Sequence, residues 1–122
     1  SAVTDAIGHA TVQVATELNA KAIITATQSG WTARMVSKYR PKAPIIAVTY
    51  SEPVARQLNL IWGVTPLLGT VTTATDEMID IAVISAKNAG LVEAGDIVVI
   101  TAGVPVGVPG TTNMLKVHEI QN

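Results

Sequence analysis

Apolar residues along this chain follow two alternating patterns, one with helical spacing and one in short unbroken runs. Near the start, Ile7, Ala10, Val14 and Leu18 recur on one helix face, which predicts a helix over residues 4–19. The unbroken runs are typical of buried strands. The predicted strands are residues 22–25, 44–49, 63–68, 96–101 and 115–120. Three further helices are predicted at residues 32–39, 51–58 and 73–89.

Turn and capping residues mark the ends of these elements. Pro41 ends the second helix, because the residue before a proline avoids helical backbone angles. Ser51 has the chemistry of an N-cap for the third helix. Thr73 and Asp76 form a plausible capping box for the fourth helix, and Gly90 is well placed just beyond its end.

Helices that alternate with continuous apolar strands predict one α/β domain over residues 1–122. We expect a three-layer sandwich, in which a mostly parallel sheet of about five strands is covered by helices on both faces. The last two strands are joined by the Gly/Pro-rich stretch 103–110 instead of a helix, so the last strand should run antiparallel. Pro66 favours an edge or irregular position for the third strand.

The first strand leads into a hydroxyl-rich stretch, residues 25–32, which ends where the second helix begins. Unpaired N–H groups and the positive end of the helix dipole converge at such a turn, and they favour an anion such as phosphate. The alternative is that this stretch is only a tight connection between a strand and a helix.

Composition narrows the function classes. The 122 residues include 48% apolar and 14% charged side chains, which implies extensive burial or a sizeable subunit interface. The net charge of −1 argues against nucleic acid or a membrane surface as a partner. The absence of cysteine excludes disulfides and thiolate metal sites, and it fits a cytoplasmic location. The apolar stretches are too short to span a membrane.

Acidic and histidine side chains show no catalytic or metal-binding arrangement. Asp76 and Asp80 share a helix face without a nearby cation, and His9 and His118 lack ligand spacing. Phosphoryl transfer needs metal-holding carboxylates and cations directed at the transferred group. We therefore predict no catalytic residue, no metal ligand and no cofactor in this chain.

Several motifs, in this order, resemble the C-terminal domain of pyruvate kinase over nearly the whole chain. They are the 27–32 loop, residues 34–41, residues 55–58, Gly95-Asp96 before an apolar strand, and residues 109–113. The resemblance implies a regulatory and oligomerisation domain of a glycolytic enzyme. That enzyme moves a phosphoryl group from phosphoenolpyruvate to ADP with Mg²⁺ and K⁺, in a separate (β/α)₈ barrel that this chain lacks.

The same resemblance implies which residues hold an allosteric effector. They are Thr27, Gln28, Ser29, Gly30 and Thr32 in the first loop, with Gly107, Gly110 and Thr111 in a second. Members of the family that bind fructose 1,6-bisphosphate carry basic residues in the first loop, where this chain has Gln28 and Trp31, and an arginine where it has Ala82. A less cationic pocket favours a sugar monophosphate or AMP over the bisphosphate.

Two interpretations fit the four basic residues that follow the loop. Either they attract phosphate to the loop, or they form a solvated face or a contact to the missing barrel. These residues are Arg34, Lys38, Arg40 and Lys42. The last strand, residues 115–120, is expected to join two copies into a homo-oligomer, since a terminal strand is a natural sheet edge. The alternative function is a free-standing α/β module that binds a small molecule or phosphate without a catalytic partner.

Overall fold

The structure is a computed structural model that describes residues 2–72, 74–103 and 112–122. The described residues form four α-helices and five β-strands. Their bounds are α1 Ala2–Glu17, β1 Ala22–Ala26, α2 Trp31–Lys38, β2 Ile45–Thr49, α3 Glu52–Leu58, β3 Val64–Leu68, α4 Thr75–Asn88, β4 Ile97–Ala102 and β5 Met114–Glu119. The predicted elements are thus confirmed, with ends that differ by a residue or two.

The five strands form one sheet in the order β3-β2-β1-β4-β5. β3, β2, β1 and β4 are parallel to one another, and β5 pairs with β4 in the antiparallel direction, as predicted. β3 lies at one edge, where Pro66 opposes Ala47 of β2. An edge strand tolerates proline, because proline has no N–H to donate to a neighbouring strand.

Helices cover both faces of the sheet, which confirms the three-layer arrangement. On one face, α4 buries Ile79, Ala82 and Ala86 against the strands. On the other face, α1, α2 and α3 pack over a second cluster around Ile23 and Val99. The continuous apolar runs arise because the inner strands are buried on both sides.

Local hydrogen bonds explain where several helices end. Ser51 is the N-cap of α3, and its Oγ accepts from the N–H of Val54 at 3.3 Å, as predicted. Gly90 follows α4 with φ +76°, and its N–H donates to the carbonyl of Lys87. The predicted cap Thr73 lies outside the described residues; α4 has Ala74 as its N-cap, without a side-chain hydrogen bond.

α1 and α2 approach each other closely where α1 carries Gly8. A Cβ built on Gly8 would lie 2.8 Å from Cε of Met35 in α2. The missing side chain is what lets Met35, which is buried, lie against the α1 backbone.

The connections create a topological switch point between β1 and β4. The chain moves from β1 outward to β2 and β3, and then returns through α4, across the other face, to place β4 beside β1. In open α/β sheets, ligands bind outside the carboxyl ends of the strands at such a point. A ligand site is therefore expected in the segments that follow β1 and β4.

Candidate functional site

The 27–32 loop lies at the carboxyl end of β1, at this switch point. The N–H of Thr27 continues the sheet by donating to the carbonyl of Val48 in β2 at 3.0 Å. The chain then turns and enters α2 at Trp31. The strand, turn and helix predicted from the sequence are therefore the observed setting of the predicted anion site.

Two hydroxyl groups of the loop hold its turn. Thr27 Oγ1 accepts from the N–H of Gly30 at 2.9 Å, and Ser29 Oγ accepts from the N–H of Trp31 at 3.3 Å. A hydroxyl that accepts in this way keeps its own O–H for donation to another group. The arrangement presents donors, which is the chemistry that an anion requires.

Gly30 has a conformation and a neighbourhood that a larger residue would disturb. It is the N-cap of α2 with φ +84° and ψ −3°, in the left-handed region, and no side chain caps the helix there. A Cβ at this position would lie 3.1 Å from Leu58 Cδ2 and 3.3 Å from Val54 Cγ1, both in α3. Gly30 thus sets the sharp turn and the close approach of α3, whatever the loop binds.

The hydroxyl of Thr32 is directed into the protein. Thr32 is 4% exposed, and its Oγ1 lies 2.7 Å from Oγ1 of Thr112, which is fully buried. The N–H of Thr112 in turn donates to Oγ1 of Thr4, in the first turn of α1, at 3.4 Å. Sequence reasoning missed Thr4. Thr112 lies within the 109–113 motif, but it was not predicted as a site residue.

A second buried hydroxyl lies on the same side of the sheet. Thr25 shares a strand face with Ile23, which points toward α1–α3, and in the sheet it is paired with Thr101 of β4. Thr101 Oγ1 donates to the carbonyl of Met114 at 2.9 Å. Thr25 Oγ1 is buried without a hydrogen-bond partner in the part of the chain that the structure describes. A buried polar atom of this kind calls for an explanation such as a water or a ligand group.

The other predicted effector residues divide into two groups. Gln28 is half-buried and Ser29 is exposed, so both are at or near the surface of the first loop. Gly107, Gly110 and Thr111 lie outside the described residues. Thr112, which follows them directly in the chain, is in contact with Thr32, so the end of the second predicted segment is brought to the first loop.

The 27–32 loop carries no charged residue, and part of the basic cluster lies away from it. Lys38 and Arg40 lie at the far end of α2, where Arg40 stacks over Trp62 at 4.7 Å and Lys38 lies 5.5 Å from the Tyr39 ring. Arg34 is exposed in the first half of α2. The geometry favours a surface role for Lys38 and Arg40 over a role in attracting phosphate.

Across residues 2–72, 74–103 and 112–122, there is no group of three or more His, Asp or Glu side chains that could hold a metal ion. Among the described helices, none combines the length and the apolar character needed to cross a bilayer.

The chain is similar in sequence to proteins of one known family. The family model described as "Pyruvate kinase, alpha/beta domain" matches residues 5–118. The chain belongs to the pyruvate kinase family. It resembles the pyruvate kinase of Geobacillus stearothermophilus at 55% identity over 120 residues, and that of Clostridium acetobutylicum at 56% over 117 residues. The resemblance drawn from the sequence motifs is confirmed.

These matches cover nearly all of this pyruvate kinase domain but a small part of each relative. The aligned residues are 98% of this chain and 20% of the Geobacillus protein, and 96% of this chain and 25% of the Clostridium protein. The pyruvate kinase of Lactobacillus delbrueckii subsp. bulgaricus is 51% identical over 122 residues, which are 21% of its length. The chain therefore spans about a fifth to a quarter of the relatives it matches.

Proposed function

We propose that this chain is the regulatory and subunit-association domain of a pyruvate kinase, and that its 27–32 loop binds a singly phosphorylated effector. In this proposal the complete cytoplasmic enzyme transfers a phosphoryl group from phosphoenolpyruvate to ADP in a separate barrel. By the family resemblance, the Mg²⁺ and K⁺ of that reaction are bound in the barrel.

The observation that supports effector binding most strongly is the set of hydroxyl donors at the switch point. Thr27 and Ser29 accept from loop N–H groups and keep their own protons for donation. Thr32 and Ala33 lie in the first turn of α2, where N–H groups lack acceptors within the helix. A phosphate placed there accepts several hydrogen bonds and meets the favourable end of the helix dipole.

The absence of charged residues in the loop favours some effectors over others. No residue from Ala22 to Ala33 is charged, so the first loop supplies hydrogen bonds without a full counter-charge. Such a site suits one phosphate group better than two, which favours a sugar monophosphate or AMP over fructose 1,6-bisphosphate. Trp31, within the loop, is 48% exposed, and its ring can stack on an adenine or a sugar.

A ligand titration tests this proposal. AMP, glucose 6-phosphate and fructose 1,6-bisphosphate are added separately, and thermal unfolding is followed. A ligand at ten times its Kd stabilises the native state by about 1.4 kcal/mol, which raises the Tm by several degrees. Ser29→Asp should abolish the shift, because a carboxylate replaces a donor and repels the phosphate.

The matched control is Thr70→Asp, which adds the same charge at another exposed loop hydroxyl and should keep the shift. In a Trp62→Phe background, fluorescence reports Trp31 alone and should change on binding of AMP. If Ser29→Asp is stabilised by AMP and glucose 6-phosphate as much as the native chain is, the effector does not bind at this loop.

The edge strand β5 supports the second part of the proposal, the association of two copies. β5 pairs with β4 on one side, and Ile120 beyond its end donates to the carbonyl of Asp96 at 2.9 Å. In an antiparallel ladder, alternate residues bond to the neighbouring strand, so Leu115, Val117 and Glu119 direct their N–H groups away from β4. Val117 is also 47% exposed. A second copy related by a two-fold axis can pair with these outward groups.

Val117→Pro tests the association because it removes one outward donor without removing a β4–β5 hydrogen bond. We expect sedimentation to show a shift toward monomer, whereas Val117→Thr, which keeps the N–H, should associate like the native chain. Equal mass distributions for native chain and Val117→Pro across a wide concentration range would exclude this strand as the interface. Far-UV circular dichroism of the variant checks that the sheet is intact.

A further inference from the structure

Buried hydrogen bonds among three threonines link three distant parts of this domain. Thr32 Oγ1 and Thr112 Oγ1 are 2.7 Å apart, and the Thr112 N–H donates to Thr4 Oγ1 at 3.4 Å. The three side chains are 4%, 0% and 2% exposed. They join the first turn of α2, the residue that leads toward β5, and the first turn of α1.

The bond between Thr32 and Thr112 is directional, unlike the apolar packing around it. Apolar side chains tolerate small shifts of one helix against another, but a buried hydroxyl that loses its partner pays the full cost of desolvation. Because Thr32 ends the 27–32 loop, the bond fixes that end of the loop relative to the segment that enters β5. The other end is fixed by the bond from Thr27 N–H to Val48.

We propose that Thr112 is a positioning residue for the 27–32 loop: it contacts no ligand, and through Thr32 it holds the loop hydroxyls and N–H groups where a phosphate group binds. This inference rests on the proposed function of the loop. It assigns Thr32 a different part from the one expected from the sequence, since its hydroxyl is engaged inside the protein. The ligand contacts then come from Thr27, Ser29 and the N–H groups of the first turn of α2.

Thr112→Val tests the inference, because valine has nearly the shape of threonine and the N–H to Thr4 is retained. Two measurements are made on the 122-residue chain. The first is hydrogen exchange at the Gly30 and Trp31 amides without ligand, and the second is the Kd for AMP and for glucose 6-phosphate. We expect exchange at both amides to rise and both Kd values to increase by about tenfold, the factor equivalent to one net hydrogen bond. Thr112→Ser keeps the hydroxyl and should restore both values to within about threefold of native.

Thr11→Val is the matched control. Thr11 is fully buried, and its Oγ1 bonds to the carbonyl of Ile7 in its own helix at 2.7 Å. It should lower the free energy of unfolding without a selective change at the loop amides or in Kd. Equal amide exchange or equal Kd in Thr112→Val and the native chain would make the bond purely structural and overturn the inference. If the native chain binds neither AMP nor glucose 6-phosphate, the proposed function fails, and the exchange measurement still decides whether Thr112 positions the loop.

Discussion

Replacement of Gly30 by alanine probes the backbone of the 27–32 loop most directly. Gly30 has φ +84°, where an L-residue with a Cβ is disfavoured by about 1–2 kcal/mol. The new Cβ would also lie 3.1 Å from Cδ2 of Leu58, which is fully buried. Overpacking of this kind lowers the free energy of unfolding by about 1–3 kcal/mol. Alanine also reduces the conformational entropy of the unfolded chain, which offsets about 0.4–1 kcal/mol of this loss. We expect Gly30→Ala to lower the free energy of unfolding by about 2–3 kcal/mol.

Gly90→Ala separates the two contributions. Gly90 has a similar φ of +76°, and a Cβ there would meet nothing within 4 Å. Gly90→Ala should lower the free energy of unfolding by about 1 kcal/mol, through the backbone conformation alone. Urea unfolding gives the free energy of unfolding of both variants, and the two values are compared when the m-values are equal. A Gly30→Ala variant within about 0.5 kcal/mol of Gly90→Ala would refute the close approach of α3, given the uncertainty of the extrapolation.

The remaining predictions concern the core, the surface cations and the activity of this chain by itself. Leu58→Ala should lower the free energy of unfolding by about 2–5 kcal/mol, since Leu58 is fully buried, and urea unfolding measures it. Arg40→Gln should leave the Kd for AMP unchanged, because Arg40 stacks on Trp62 at the far end of α2. A tenfold rise in this Kd would show that the basic cluster contributes to effector binding. In a coupled assay with phosphoenolpyruvate, ADP, Mg²⁺ and K⁺, this chain alone should give background rates, and turnover that persists through purification would contradict the proposal.

The sequence carried enough information for the elements of the fold because each is specified locally. Ser51 and Gly90 act through bonds to residues a few positions away, so their types predict their positions. Pro66 indicated an edge because a missing N–H cannot be used inside a sheet. The antiparallel last strand followed from the absence of a helix before it.

The interior of the candidate site was beyond reach of the same reasoning. The partner of Thr32 is Thr112, and the two meet only because the return through α4 places β4 next to β1. Periodicity indicates that a residue is buried, but it does not indicate which distant hydroxyl lies opposite. The direction of the Thr32 side chain and the buried hydroxyl of Thr25 therefore became visible only with the strand order.

The contact between α1 and α2 has a consequence for how this domain varies across evolution. A Cβ on residue 8 would meet the terminal methyl of Met35, which is the movable end of a long side chain. Alanine at position 8 is therefore accessible if Met35 withdraws, whereas a bulkier residue there requires a shorter one at position 35. We expect these two positions to co-vary among related sequences, with the combined side-chain volume held nearly constant. The space beside Gly8 is thus filled by a side chain of α2, so a large residue can enter one helix only if the other helix carries a smaller one.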